Sequence, residues 1–293
     1  MPVAPFVLPD GRRLDLYTSG PEDGVPLVLH HGTPGSYHPM SELEPAAHAR
    51  GLRVVSWSRP GYGGSTRQPG RRAVDVVADA RAVLDGLGAD RCVVAGRSGG
   101  GASALACAAR LEQAAAVVVV AGLAPFEADH LDFFDGMTDE DAADYGVAQE
   151  GADAFLPRLE EQREVFARMT PEMILDGMVS GMPTREQAAF TALLAEQMAE
   201  SFRESVRTGL DGWVDDVIAA VLPWGFSVEE IRVPAAVWHG TDDRMVPFGH
   251  GRWLAEHVPG AEPHLVEGAG HVSIAHGEAD TAAVLDALTA ALT

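Results

Sequence analysis

The chain has 293 residues, 46% of them hydrophobic, which is enough to bury a core in one large domain or two small ones. Its formal net charge is -22, and its 21 Lys and Arg residues are all arginine. The acidic balance argues against nucleic acid or an anionic membrane as partner and favours a small-molecule substrate, and a chain without lysine excludes Schiff-base, Walker-type and Ser-Lys chemistry.

The first segment, MPVAPFVLPDGRR, lacks the cationic start and apolar centre of a secretory signal. No uninterrupted apolar stretch reaches the roughly 20 residues of a membrane span, so a cytoplasmic protein is the expectation. Short β-branched runs then alternate with Ala/Leu-rich segments. They predict strands near Phe6 to Leu8, Leu14 to Thr18, Leu27 to His30, Arg53 to Ser56, Cys92 to Ala95 and Ala116 to Ala121. The turn residues of DGRR and GPEDG suit an antiparallel start. Helices are predicted over Ala73 to Leu87, with Val74, Val77, Ala78, Arg81 and Leu84 on one face, and over Gly100 to Leu111. Cys92 and Cys107 lie in apolar runs without metal-ligand spacing, and they read as small buried hydrophobes; no metal or cofactor is implied.

From about Leu123 to Gly225 the β-branched runs give way to helix formers, notably Pro157 to Met169 and Arg185 to Val206. Most of the acidic excess lies in this stretch. Strand-like and helix-like segments return at Ala235 to Trp238, Arg252 to His257 and Glu262 to Val266, before a closing helix from Glu278 to Leu292. The layout is an α/β core of residues 1–123 and 226–293 interrupted by a helical cap of residues 124–225.

The chemistry is concentrated in VVAGRSGGGASALA, where Gly96-Arg97-Ser98-Gly99-Gly100 matches G-x-S-x-G between a strand and a helix. A serine held on so tight a turn needs neighbours without side chains at two residues on either side, which Gly96 and Gly100 supply. The Gly99 amide, at a helix start, is placed to donate to a developing oxyanion. The same letters offer a rival, since Gly99-Gly100-Gly101-Ala102-Ser103-Ala104 fits a loose dinucleotide fingerprint. That reading needs a carboxylate at the end of the next strand, and AAAVVVVAGLA has none.

A serine hydroxyl also needs a base and an orienting acid. HGTDDRMVP follows a late strand with an acidic loop in which Asp242 and Asp243 compete for the orienting role. VEGAGHVS follows another strand with His271, the histidine best placed to serve as base; His239, His250, His257, His264 and His276 read as capping, strand or surface groups. A second oxyanion donor is expected at Thr33, in the LVLHHGTPGS stretch after the third strand.

Taken together, HHGTPGS, SRPGYGGS, GRSGGG, HGTDDRMVP and GAGH resemble the α/β-hydrolase-fold serine hydrolases in order and separation. The resemblance implies a mostly parallel eight-stranded sheet flanked by helices, with the cap inserted after strand 6. It implies a catalytic triad of Ser98, His271 and Asp243, because the family's G-x-x-D-x-x-V-P loop aligns with Gly240, Asp243, Val246 and Pro247. Ser98 disfavours the haloalkane dehalogenases and epoxide hydrolases, which use an aspartate at that position. HGTPG followed by R-P-G-x-G-x-S is also similar to proline iminopeptidases, but Gly99 stands where those enzymes carry tryptophan.

The implied function is ester-type hydrolysis through an acyl-enzyme. The competing readings are acyl transfer, C-C bond hydrolysis and a ligand-binding protein with a vestigial triad. Candidate substrate contacts are His31, Tyr37 and His38 beside the oxyanion loop, and Phe133, Phe134 and Met137 in the cap, with Met169, Met173, Met178 and Met182 as further apolar lining.

Overall fold

The computed structural model describes residues 3 to 38, 43 to 179 and 182 to 292, without the side chains of Met178 and Glu278. Eight strands form one sheet: β1 Ala4–Val7, β2 Arg13–Ser19, β3 Val25–His30, β4 Leu52–Trp57, β5 Cys92–Arg97, β6 Ala114–Val120, β7 Ala235–Gly240 and β8 Glu262–Val266. Their order is β1-β2-β4-β3-β5-β6-β7-β8. The β1-β2 and β2-β4 pairs are antiparallel and every other pair is parallel. Central strands covered on both faces need side chains that are apolar in both directions, which is why β5 to β7 read as continuous Val/Ala runs.

Helices cover both faces. On one, α2 (Val76–Leu87), α3 (Gly101–Arg110) and α10 (Phe248–His257) enclose a core with Val94, Val117, Val119 and Val237. On the other, α1 (Leu43–Ala49) and α11 (Glu278–Thr289) pack over Val93, Ala95, Val118 and Val120. Each such valine contributes roughly 1.5–3 kcal/mol by leaving water. The helix after β4 differs from expectation in facing. Ala73–Asp75 forms a 3-10 turn before α2, and Val76, Val77, Ala80, Val83 and Leu84 are buried while Ala78 and Arg81 face solvent.

Between β6 and β7 the chain forms α4 (Asp139–Ala148), α5 (Ala152–Ala167), a single turn α6 (Pro171–Met173) continuing as a π-helix over Ile174–Met178, α7 (Thr184–Ala189), α8 (Ala192–Ser205) and α9 (Asp211–Val221). The one helix expected over Arg185 to Val206 is two, because Thr191 caps a new helix by accepting a hydrogen bond from the Leu194 amide at 3.1 Å. The last inserted helix is tied to the core by ion pairs whose carboxylates are buried. Asp216 of α9 bonds Arg59 and Arg71, and its neighbour Asp215 bonds Arg67.

The direction of chain travel reverses at β3, with β4 on one side of it and β5 on the other. Connections leaving the carboxyl ends of strands that flank such a reversal diverge and open a crevice. Here those two loops begin at His30 and Arg97, so the sheet's own topology puts the HGTPGS loop and Ser98 at one point.

Candidate active site

Ser98 lies between β5 and α3 with φ at 52°, a left-handed conformation that a side-chain-bearing residue adopts only under constraint. The constraint comes from the glycines. A Cβ on Gly96 would stand 2.3 Å from the Gly100 carbonyl oxygen, and one on Gly100 would stand 2.3 Å from that of His30. Gly101 lets α3 approach the sheet, where its Cβ would already be 3.1 Å from Gly122 Cα and from Val119 Cγ1. The HGTPGS loop passes beside the serine, since a Cβ on Gly32 would be 3.9 Å from Ser98 Oγ and one on Gly99 would be 3.3 Å from the Thr33 nitrogen. Ser98, Thr33 and Gly99 thus share the wall of one cavity of about 60 Å³.

The loops after β7 and β8 meet at the same edge of the sheet. His271 Nδ1 bonds Asp243 Oδ2 at 2.8 Å, and Asp243 Oδ1 accepts from the Met245 and Val246 amides at 2.9 Å each. Burial works to raise the Asp243 pKa, but the His271 ring, His239 and the Val246 amide outweigh it, so the carboxyl stays below its ordinary range. Asp242 is exposed and receives its own bond from Thr241 Oγ1. Geometry therefore separates two aspartates that adjacency alone leaves equivalent. His239 is sealed behind the pair, 3.6 Å from Asp243 Oδ2, with Nε2 donating to the Val246 carbonyl at 2.8 Å.

Arg97, the residue before the serine, reaches the opposite loop: its Nη2 donates to the His271 carbonyl at 3.2 Å. Burial lowers the Arg97 pKa, and the carboxylates of Glu186 and Asp243 act in the other direction. Glu186 comes from α7, and it accepts from the Val272 amide at 2.6 Å and the Ser273 amide at 3.0 Å. Gly270 has no room for a side chain because this carboxylate would be 2.5 Å from its Cβ. The segment around His271 is held from both sides, by Arg97 at the end of β5 and by Glu186 of α7.

The expected substrate contacts fall in several settings. His31 is committed to the loop itself, with Nδ1 donating to the Gly32 carbonyl at 2.7 Å and Nε2 accepting from the Arg59 amide at 3.1 Å. Burial, then the Arg59 charge, keeps the ring neutral by lowering its pKa well below 6.5. Tyr37 and His38 stack on each other and line an outer cleft of about 520 Å³ with Glu200, Arg203 and Arg207. Phe133, Phe134 and Met137 pack with Leu123, Phe126 and Val246 in an apolar cluster, and none of the three lines the Ser98 cavity. Met169 and Met182 pack in another cluster with Val272, Met173 is exposed, and the Met178 side chain lies outside the described residues. His250, which resembles a surface group in the sequence, is buried: it accepts from the Ala124 amide at 3.1 Å and donates to the Phe133 carbonyl at 3.0 Å.

Residues that local motifs do not disclose complete the setting. Asp216 accepts from Arg59 Nη2 at 2.5 Å, Arg71 Nη2 at 2.6 Å, Thr33 Oγ1 at 2.7 Å and Tyr62 Oη at 2.8 Å. Its pKa falls far below the ordinary carboxylate range, because the two guanidinium groups outweigh a large burial penalty. The one signal in the sequence is WVDDVIAAV, where two carboxylates interrupt an otherwise apolar helix.

The α/β-hydrolase-fold family model matches residues 25–277. This chain belongs to the α/β-hydrolase-fold family. The hydrolase is 28% identical over 244 residues to a non-heme chloroperoxidase of Streptomyces lividans, covering 82% of each chain. It is 26% identical over 262 residues to a pimeloyl-[acyl-carrier protein] methyl ester esterase of Aromatoleum aromaticum, covering 89% of this chain and 96% of that one. A solved carboxylesterase structure from Nitrososphaera gargenis superposes with a TM-score of 0.69 at 18% identity over 99% of both chains, a likeness of fold. Relatives named as esterases and hydrolases identify the chain as an enzyme of this fold. No helix among the described residues of the hydrolase is long and apolar enough to cross a membrane.

Proposed function

We propose that the hydrolase is a serine esterase acting on small acyl esters. The bond between His271 Nδ1 and Asp243 Oδ2, at the same edge of the sheet as the constrained Ser98, carries this reading. A carboxylate that accepts from Nδ1-H leaves Nε2 as the basic nitrogen, the tautomer a general base requires.

In the proposed cycle Ser98 Oγ attacks the ester carbonyl carbon while His271 Nε2 takes the hydroxyl proton. The carbonyl oxygen becomes an oxyanion held by the Thr33 and Gly99 amides. Collapse breaks the bond to the alcohol, which leaves with the proton from His271. Water then attacks the acyl-Ser98 ester by the same route, releasing the acid and restoring the serine. Among the described residues Ser98 Oγ has no hydrogen-bond partner, and in this cycle its bond to His271 Nε2 forms in the substrate complex. The tight cavity favours short acyl groups, and the esterases among its relatives support the reaction class.

Ser98→Ala tests this reading. The variant should lose at least about a thousandfold in kcat/KM on ethyl esters, with an unchanged melting temperature. A fluorophosphonate probe should label the wild type and not the variant. Wild-type rates in Ser98→Ala, or wild-type protein that resists the probe while folded, would refute it.

A further inference from the structure

The peptide unit that carries the proposed oxyanion donor at Thr33 is held from behind. Its oxygen, the Gly32 carbonyl, accepts from Arg59 Nη2 at 3.1 Å and from His31 Nδ1 at 2.7 Å, and Arg59 Nη1 donates to the preceding carbonyl, that of His31. The peptide bond between Gly32 and Thr33 is trans, so the Thr33 N-H points away from the oxygen that these side chains hold. Among the described residues no acceptor meets that N-H.

The Thr33 side chain is fixed as well. Its hydroxyl donates to Asp216 Oδ2 at 2.7 Å and accepts from Arg59 Nη2 at 3.1 Å. That hydroxyl oxygen fills the space beside Gly99, where a Cβ would stand only 2.3 Å from it. Both of its partners are locked in one ion pair, with the Arg59 side chain 2% and the Asp216 side chain 6% exposed. A buried polar network whose members are all bonded holds a single geometry. Asp216 belongs to α9, 183 residues further along the chain than Thr33, so the inserted segment reaches the loop after β3. An ion pair that only fastened α9 to the core would need no bond to that loop.

We propose that Asp216 is a positioning residue for the oxyanion: through the Thr33 hydroxyl and Arg59 it sets the aim of the Thr33 amide. The proposal rests on the reading of Ser98 as nucleophile and of the Thr33 amide as oxyanion donor. When Ser98 Oγ bonds to the ester carbon, the carbonyl electron pair moves onto oxygen, and the donor must stand where that charge develops. A donor aimed a little off still admits the ground-state ester but meets the oxyanion poorly. The loss therefore falls on kcat and leaves KM nearly alone.

Thr33→Val removes the hydroxyl and keeps both the backbone amide and the branched shape. On ethyl acetate its kcat should fall about ten- to a hundredfold with KM within a few fold, and Thr33→Ser should recover most of the loss. A second readout is inhibition by 1,1,1-trifluorobutan-2-one. Ser98 Oγ adds to its carbonyl carbon, the hydroxyl proton passes to His271 and the carbonyl oxygen becomes an oxyanion. This inhibition should weaken in Thr33→Val by a factor similar to the loss in kcat, whereas inhibition by butan-2-one, bound without the new bond, should not change. Asp216→Asn should act in the same direction, and in the double variant with Thr33→Val the two losses should overlap rather than multiply. If Asp216→Asn does not fold, the two Thr33 variants decide alone. An unchanged kcat in Thr33→Val, an equal loss in Thr33→Ser, both ketones weakened alike, or full multiplication in the double variant overturns the proposal and leaves the esterase standing. If the wild type neither hydrolyses ethyl acetate nor binds the trifluoroketone more tightly than butan-2-one, the esterase reading itself fails and the proposal falls with it.

Discussion

At the scale of single residues, the nucleophile turn is the most constrained point of the chain. Gly96→Ala would push a methyl group into the Gly100 carbonyl and the Ala104 Cβ, which stand 2.3 Å and 2.7 Å from its position. Backbone on one side and a packed helix on the other cannot yield cheaply, so the variant should lose several kcal/mol of stability, about 3 or more. Any folded fraction should label poorly with a fluorophosphonate because Ser98 is displaced; urea unfolding and probe labelling measure the two effects. A stable, fully labelled Gly96→Ala would contradict the packing described. This turn was legible in the sequence because its requirement is local, as glycines at fixed offsets from one serine encode it. The choice between Asp242 and Asp243 was not legible from adjacency, since it depends on which carboxylate the β7 loop turns inward.

Among the secondary elements, α7 is the least obvious from sequence and has the most direct grip on His271. Its Glu186 satisfies the Val272 and Ser273 amides, and we assign it as a positioning residue for the proposed base. Glu186→Ala should lower kcat on ethyl esters about ten- to a hundredfold, the scale of small misplacements in catalytic geometry, and leave KM within a few fold. Glu186→Gln, which can still accept one of the two bonds, should recover part of the loss. An unchanged kcat, or a change in KM alone, would show that the contact only joins two elements. The periodicity of Arg185 to Val206 promised one long helix and hid this contact, because a single capping threonine decides the break. Likewise, Asp216 meets Arg71 across 145 residues of chain, and no window of local pattern spans such a pair.

For the whole molecule, the alternating runs of apolar residues were enough to lay out the sheet, since each strand needs only its own composition to be recognised. Its buried histidines were not apparent. His30 and His250 are closed in the core, and burial, the main cause in both, holds their pKa values to about 3 and about 4. In the unfolded chain both groups titrate near 6.5. Between that value and about 4 the unfolded chain binds protons that the native protein does not, so stability is complete above pH 6.5 and declines as pH falls. Each histidine withdraws about 1.4 kcal/mol per pH unit over this window. Urea unfolding at pH 7.5 and pH 5 should differ by roughly 4 kcal/mol from these two groups. Equal stability at the two pH values would mean that the two rings are not held neutral by the fold.

The ion pairs that fasten α9 to the core are Arg59 and Arg71 with Asp216, and Arg67 with Asp215. A lysine in those places would shed its proton near pH 10, whereas a guanidinium keeps its charge beyond about pH 12. The Arg67 and Arg71 ties to α9 therefore keep their charge in basic solution where an amine would already have lost its proton.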